Sequence, residues 1–124
     1  MIKLFLIGCA GFVGTLGRFW LSSTIARRYG ESFPLGTLIV NLSGCFLIGL
    51  LFHLMQERYF VNENVRSIVF IGFLGGFTTF SAFGLQTFSL LQENQIGLAA
   101  ANLLVSNLIG LLLVWAGYTL AKVF

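Results

Sequence analysis

Four apolar segments, each long enough to cross a lipid bilayer, dictate what this chain can fold into. They cover about residues 4–25, 35–55, 65–91 and 96–120 of the 124-residue chain. Only 9% of the residues are charged and 57% are hydrophobic, so nearly the whole chain must lie in the membrane. Because a hydrocarbon environment tolerates only helices and closed barrels, the sequence predicts an all-α integral membrane protein. Its four transmembrane helices form a single transmembrane domain, residues 1–124.

The third apolar segment contains a stretch, residues 72–86, whose composition is unusual for a membrane helix: GFLGGFTTFSAFGLQ. Its glycine pair favours loose backbone. The hydroxyls of Thr78, Thr79 and Ser81 can bond backbone carbonyls in competition with the helix. A break here would free backbone groups that could form an ion site, whereas a continuous helix would pack its small residues against a neighbour. We expect the third helix to be broken near its middle.

Two phenylalanines follow the hydroxyl residues of this stretch. Phe80 and Phe83 are three residues apart and therefore share one face of a helix. An aromatic ring has a positive edge, so a pair of rings can hold an anion without carrying a charge. The alternative is that both rings face lipid or the protein core. Their position beside hydroxyls at a predicted helix break favours a functional role.

Each of the other three segments carries polar side chains at membrane depth. Arg18 in helix 1 either attracts anions or reaches to the interface. Asn41 in helix 2 either joins helices or donates N–H groups to an anion. In helix 4, Asn102 and Ser106 are four residues apart and form a narrow polar stripe, with Asn107 off that stripe.

Several function classes are disfavoured by the residues present. The chain has no Asp, and its four Glu lie in or near loops, so an enzyme lacks candidate catalytic groups. A small multidrug exporter has a similar size and number of spans, but it needs a carboxylate in helix 1 for proton coupling. Helix 1 of this chain has Arg18 and no acidic residue.

Cys9 and Cys45 lie in apolar segments without other metal-ligating side chains, and we expect buried, reduced thiols. The net charge of +3 reflects short loops and does not indicate nucleic-acid binding. His53, near the end of helix 2, is expected to be a surface residue.

Positive charges are distributed almost evenly between the two sides of the predicted membrane domain. One side holds four and the other two: Lys3, Arg58, Arg66 and Lys122 against Arg27 and Arg28. Since the excess of Lys and Arg in cytoplasmic loops sets orientation, so weak a bias permits insertion in both directions.

Three segments together resemble a known family. They are residues 14–18 (GTLGR), 36–42 (GTLIVNL) and 72–81 (GFLGGFTTFS). On these motifs the chain resembles the Fluc, or CrcB, family of fluoride channels along essentially its full length. The resemblance implies a fluoride-selective passive channel that exports cytoplasmic fluoride and confers fluoride resistance. It also implies a bacterial inner (plasma) membrane protein that crosses the bilayer several times.

The resemblance further implies an antiparallel, dual-topology dimer with two pores. Fluoride would move along Phe80 and Phe83, and a structural Na⁺ would sit at the dimer centre. The full anion pathway expected from the residues and the resemblance is Asn41, Phe80, Phe83, Thr79, Ser81, Asn102, Ser106 and Arg18; the Na⁺ ligands would be the backbone carbonyls of Gly75 and Thr78.

Two positions depart from the family pattern. The family commonly has Ser after the second pore phenylalanine and an acid two residues later, where this chain has Gly84 and Gln86. Some members of the family work as paired, non-identical subunits. The partner of this chain is therefore either a second copy of itself or a paralogous subunit.

Overall fold

The computed structural model describes residues 1–57 and 61–124, and all regular structure within those ranges is helical. Its four long apolar helices are α1 (Ile2–Tyr29), α2 (Leu35–Glu57), α3 (Glu63–Gln92) and α4 (Ile96–Ala121). All four are long and apolar enough to span a bilayer, which confirms the predicted fold class. α1 is longer than the sequence predicts, because it continues through its last turn as far as Tyr29.

The third helix is broken, as the sequence predicts. Its first part, residues 63–77, includes a π-helical stretch at Ile68–Leu74, and its second part is Phe80–Gln92. Between them, Thr78 has φ −88° and ψ 158°, and Thr79 has φ −150° and ψ 118°. Both are extended conformations, which β-branched residues adopt readily. A continuous third helix is thereby excluded.

The most extensive helix contacts join two pairs of helices, and glycines let their backbones approach closely. α1 packs against the first part of α3, where a side chain at Gly14 would collide with the Phe73 carbonyl. α2 packs against α4, where a side chain at Gly117 would collide with the Phe46 carbonyl. Small residues at helix contacts are the usual basis of packing in lipid. The second part of α3 packs mainly against the first turns of α4.

Two short turns connect these pairs. Gly30, with φ 85°, ends α1, and its N–H donates to the Ala26 carbonyl. Asn94, with φ 59°, reverses the chain between α3 and α4, where the Gln95 N–H donates to the Leu90 carbonyl at 2.8 Å. Because this second turn is so tight, the second part of α3 and the start of α4 lie side by side.

Candidate functional site

A cavity of about 340 Å³ lies beside the break in α3 and contains most of the predicted pathway residues. Its walls come from α2, from both parts of α3, and from the middle of α4. None of the described residues that line it is charged. The predicted residues that it brings together are Asn41, Gly75, Thr78, Thr79, Phe80, Phe83 and Ser106; Gly44, Cys45, Ile48, Phe70, Leu74 and Asn107 complete the wall.

The Asn41 side chain holds both backbone groups of Thr79. Its Nδ2 donates to the Thr79 carbonyl at 2.9 Å, and its Oδ1 accepts from the Thr79 N–H at 2.8 Å. These backbone groups have left the helix and must be satisfied inside the protein. Asn41 therefore joins α2 to the break. Since an amide nitrogen carries two hydrogens, one N–H of Asn41 remains for a ligand in the cavity.

The break separates the last carbonyls of the first part of α3 from their helical partners, and those of Gly75 and Thr78 are among them. In an uninterrupted α-helix, the Gly75 and Thr78 carbonyls would accept from the N–H groups four residues later. Here the Thr79 N–H donates to Asn41, and the Ala82 N–H donates to the Thr79 hydroxyl at 3.2 Å. Gly75 and Thr78 both line the cavity. Their oxygen atoms are consequently available to a cation or to a donor from another chain.

The two predicted pore rings lie next to each other. The Phe80 and Phe83 ring centroids are 5.5 Å apart, with the ring planes tilted by 47°. Phe83 is buried, but Phe80 is 83% exposed in the single chain. The cavity is thus open on the side of Phe80, where only lipid or a second protein chain could cover it.

A π-helical turn, Val105–Ile109, changes which residues of α4 reach the cavity. A π-turn contains more residues than an α-turn, and both Ser106 and Asn107 line the cavity. The Ser106 hydroxyl is buried and has no hydrogen-bond partner among the described residues. Asn107 donates to the Leu103 carbonyl at 2.7 Å. Asn107 is not among the predicted pathway residues, because regular α-helical spacing places it off the polar stripe.

The structure does not bring Asn102 to the cavity. Asn102 is only 2% exposed and donates through Nδ2 to the Thr87 hydroxyl at 2.8 Å. Thr87 in turn donates to the Phe83 carbonyl at 2.8 Å. Thr87 is likewise not among the predicted residues, although its position four residues after Phe83 places both on one face of α3.

Arg18 and Ser81 lie on the other side of the break. They line a separate cavity of about 520 Å³, together with Thr15, Thr37 and Thr79. Thr79 lines both cavities, and its hydroxyl is 3.3 Å from that of Ser81. The half-buried Arg18 supplies the positive charge of this second cavity.

A third cavity, of about 640 Å³, lies between the α1–α2 connection and the end of α3. Thr37 lines both this third cavity and the second, and Thr79 lines both the second and the first. The three cavities are therefore adjacent to one another in that order. Gln86 faces this third cavity, and its Oε1 is buried without a partner among the described residues. At Gly84, a Cβ would meet no atom within 4 Å. The serine common in the family would therefore fit there.

His53 corrects one expectation. It is buried rather than on the surface, and its ring meets the Tyr118 ring edge-on with centroids 4.9 Å apart. The sequence could not show this contact because it joins α2 to α4. Across residues 1–57 and 61–124, no group of three His, Cys, Asp or Glu could hold a metal ion. Any metal bound in the described part would need other ligands, such as backbone carbonyls.

Comparison with known proteins covers nearly the whole chain. Residues 5–118 match the family described as CrcB-like protein, Camphor Resistance (CrcB). A protein of Methylobacillus flagellatus named fluoride-specific ion channel FluC is 42% identical over 98% of this chain and 96% of its own length. Proteins of the same name from Nitrosococcus oceani and Hydrogenovibrio crunogenus are 41% and 40% identical. They cover 98% and 100% of this chain, and 97% and 94% of their own lengths.

Proposed function

The chain belongs to the CrcB-like family, and from this membership we propose that it is a fluoride-selective passive channel. Its relatives at 40–42% identity are named as fluoride-specific ion channels. The structural observation that carries the proposal is the uncharged cavity at the break, lined by two amides, three hydroxyl side chains and three aromatic rings. The protein is therefore a multi-pass membrane channel rather than an enzyme.

The cavity offers what a small anion needs after it loses its water. A pore selects an ion by replacing the ion's hydration shell with protein groups. The free N–H of Asn41, the unpaired Ser106 hydroxyl and the positive edges of Phe80 and Phe83 can serve fluoride in this way. Because no charge lines the cavity, the anion is not held so tightly that it cannot leave.

Fluoride export needs no energy source in the protein itself. Hydrogen fluoride crosses membranes as a neutral molecule and dissociates in a less acidic cytoplasm, where fluoride is trapped. An inside-negative potential then drives the anion outward at roughly 2.3 kcal/mol per 100 mV. Fluoride resistance in a bacterial inner membrane follows from this passive movement.

A proton-coupled multidrug exporter is not favoured. Such a mechanism needs a carboxylate at membrane depth in the first helix, and Ile2–Tyr29 contains neither Asp nor Glu. The charged group at depth in α1 is Arg18, which lines a cavity together with hydroxyl residues. A positive charge beside hydroxyls suits an anion and repels the cationic drugs that such exporters carry.

We further propose that two chains assemble with opposite orientations in the membrane. Phe80 is 83% exposed beside an open cavity, so a second chain would complete the pathway. A two-fold contact between identical chains is the commonest solution, and the four-to-two distribution of positive residues permits both orientations. A paralogous subunit inserted in the opposite direction would meet the same requirement.

The break itself suits a structural Na⁺ between the two chains. The Gly75 and Thr78 carbonyls have lost their helical amide partners, and a two-fold axis near the break would bring two such pairs together. Hard cations prefer oxygen ligands. A bound Na⁺ would offset the partial negative charge of these carbonyls and hold the two breaks in place, apart from the moving anion.

Fluoride efflux from liposomes that contain only this purified chain tests the function. We expect a fluoride-selective electrode to record efflux while a chloride electrode records none. Equal chloride and fluoride fluxes would overturn the selectivity, and efflux that appears only after a paralogous chain is added would show that the active channel is a heterodimer.

A further inference from the structure

We propose that Thr87 is a positioning residue for Phe83, and that Asn102 acts on the pathway through Thr87. The proposal rests on the fluoride channel function proposed above. Three groups form a continuous chain: Asn102 Nδ2 donates to Thr87 Oγ1 at 2.8 Å, and Thr87 Oγ1 donates to the Phe83 carbonyl at 2.8 Å.

The direction of this chain is determined by hydrogen count. A hydroxyl has a single hydrogen, and that of Thr87 is used on the Phe83 carbonyl. Thr87 can therefore only accept from Asn102, whose amide nitrogen must point toward it. Thr87 is 6% exposed and Asn102 2% exposed. Consecutive hydrogen bonds polarise one another, and burial makes each of them costly to lose.

The chain ends at the residue whose ring lines the cavity. Thr79, Phe83 and Thr87 are four residues apart and lie on one face of α3. Asn41 of α2 holds this face at Thr79, and Asn102 of α4 holds it at Thr87. Phe83 is therefore fixed between two asparagine contacts from two different helices.

The Asn102–Thr87 contact matters because few other contacts join the second part of α3 to neighbouring helices. Within residues 1–57 and 61–124, Asn102–Thr87 is the one hydrogen bond between side chains of two different helices. The second part of α3 packs mainly against the first turns of α4. Without the bond, this segment could rotate or shift while remaining helical, and the Phe83 ring would turn away from Phe80.

Asn102 itself is too far inside the protein to meet the anion. It does not line the cavity that contains Phe80, Phe83 and Ser106, and nearly all of its surface is covered. Its influence on conduction must therefore pass through the residues that it contacts. The structure assigns α4 two different roles: Ser106 faces the cavity, and Asn102 holds α3 in register.

The expected effect is a loss of efflux without a loss of selectivity. If the bond holds Phe83 in its conducting position, removing it lets non-conducting positions become populated. Losing one hydrogen bond between membrane helices should shift the equilibrium between conducting and non-conducting positions by roughly three- to twentyfold. Thr87→Val and Asn102→Leu should each reduce fluoride efflux by that factor. Thr87→Ser, which keeps the hydroxyl, should restore most of it.

The matched control is Thr119→Val. Thr119 makes the same bond to the carbonyl four residues earlier, that of Trp115, at 2.8 Å. It is exposed, however, and no other helix donates a bond to it within the described part of the chain. Its variant should transport at the wild-type rate. Size-exclusion chromatography of each purified variant, and its melting temperature, separate a misfolded protein from one with a displaced ring.

Two combined variants decide between positioning and simple stabilisation. Thr87→Val with Asn102→Leu should lose no more efflux than Thr87→Val alone, since Thr87→Val already removes the bond that Asn102 donates. With Phe83→Ile already present, Thr87→Val should lower the melting temperature but leave the residual efflux unchanged. Wild-type efflux in well-folded Thr87→Val, no recovery in Thr87→Ser, or multiplied losses in either combination would overturn the proposal. Absence of fluoride efflux from the wild-type chain, both alone and after a paralogous chain is added, would instead contradict the proposed function.

Discussion

The methyl group of Thr78 occupies the place where a side chain at Gly44 would lie. A Cβ built on Gly44 would collide with Thr78 Cγ2. Glycine at position 44 therefore lets α2 approach the break in α3 closely, one turn after Asn41 has engaged Thr79. The geometry of the break thus depends on a residue without a side chain in the neighbouring helix.

Gly44→Ala should displace the break and reduce fluoride efflux. Forcing an extra methyl group into packed protein costs about 1–3 kcal/mol, and here Thr78 would have to move. We expect a lower melting temperature together with lower efflux. Gly97→Ala is the control, because a Cβ at Gly97 meets no atom within 4 Å. Equal behaviour of the two variants would show that the Gly44 contact has no role.

Phe80→Ile and Phe83→Ile should each abolish or strongly reduce fluoride transport while assembly is preserved. The change keeps apolar bulk but removes the positive ring edge. The rings are 5.5 Å apart and both line the cavity. Phe12→Ile, at an exposed position of α1, is the control. Normal efflux in both single variants would rule out an aromatic pathway.

Asn41→Asp should block fluoride movement. The aspartate could still accept from the Thr79 N–H, but the Thr79 carbonyl would lose its donor, and a negative charge would face the anion. Asn64→Asp, at the exposed start of α3, should conduct normally in the same efflux assay. Wild-type flux through Asn41→Asp would mean that Asn41 serves only to join helices.

Asn107→Leu should lower fluoride efflux, although a regular α-helix would place Asn107 away from the pathway. The π-helical turn brings Asn107 to the cavity beside Ser106. Leucine removes the amide while keeping a similar size, and the Leu103 carbonyl loses its side-chain donor. Leu108→Ala, one residue further along and exposed but outside the cavity wall, is the comparison. If both variants conduct alike, Asn107 is not part of the pathway.

A single cysteine in the α3–α4 turn should react with membrane-impermeant thiol reagents from both sides of the membrane. We place it at Glu93 because Asn94 has φ 59°, which strains most side chains. The background must lack Cys9 and Cys45. Labelling from both sides supports dual topology. Labelling from one side alone would exclude it, and a partner subunit inserted the opposite way would then be required.

Local patterns were sufficient to predict much of this protein. Four apolar runs determine four spanning helices because lipid leaves the backbone no other way to satisfy its hydrogen bonds. The break at Thr78 and Thr79 was predictable because glycine and hydroxyl residues weaken a helix wherever they cluster. The pairing of Phe80 with Phe83 follows from their spacing within one helical turn.

Other features depend on contacts between segments that are distant in the sequence. The sequence showed that Asn41 needed a partner, but only the packing of α2 against the break supplies the Thr79 backbone. Likewise, His53 is buried because Tyr118 of α4 covers it. The tertiary structure also determines which α4 residues face the cavity. The π-turn shifts the helical phase, so Asn107 lines the cavity with Ser106, whereas Asn102 contacts Thr87. Regular periodicity cannot reveal such a shift, because it assumes the same number of residues per turn along the whole helix, and a π-turn contains more.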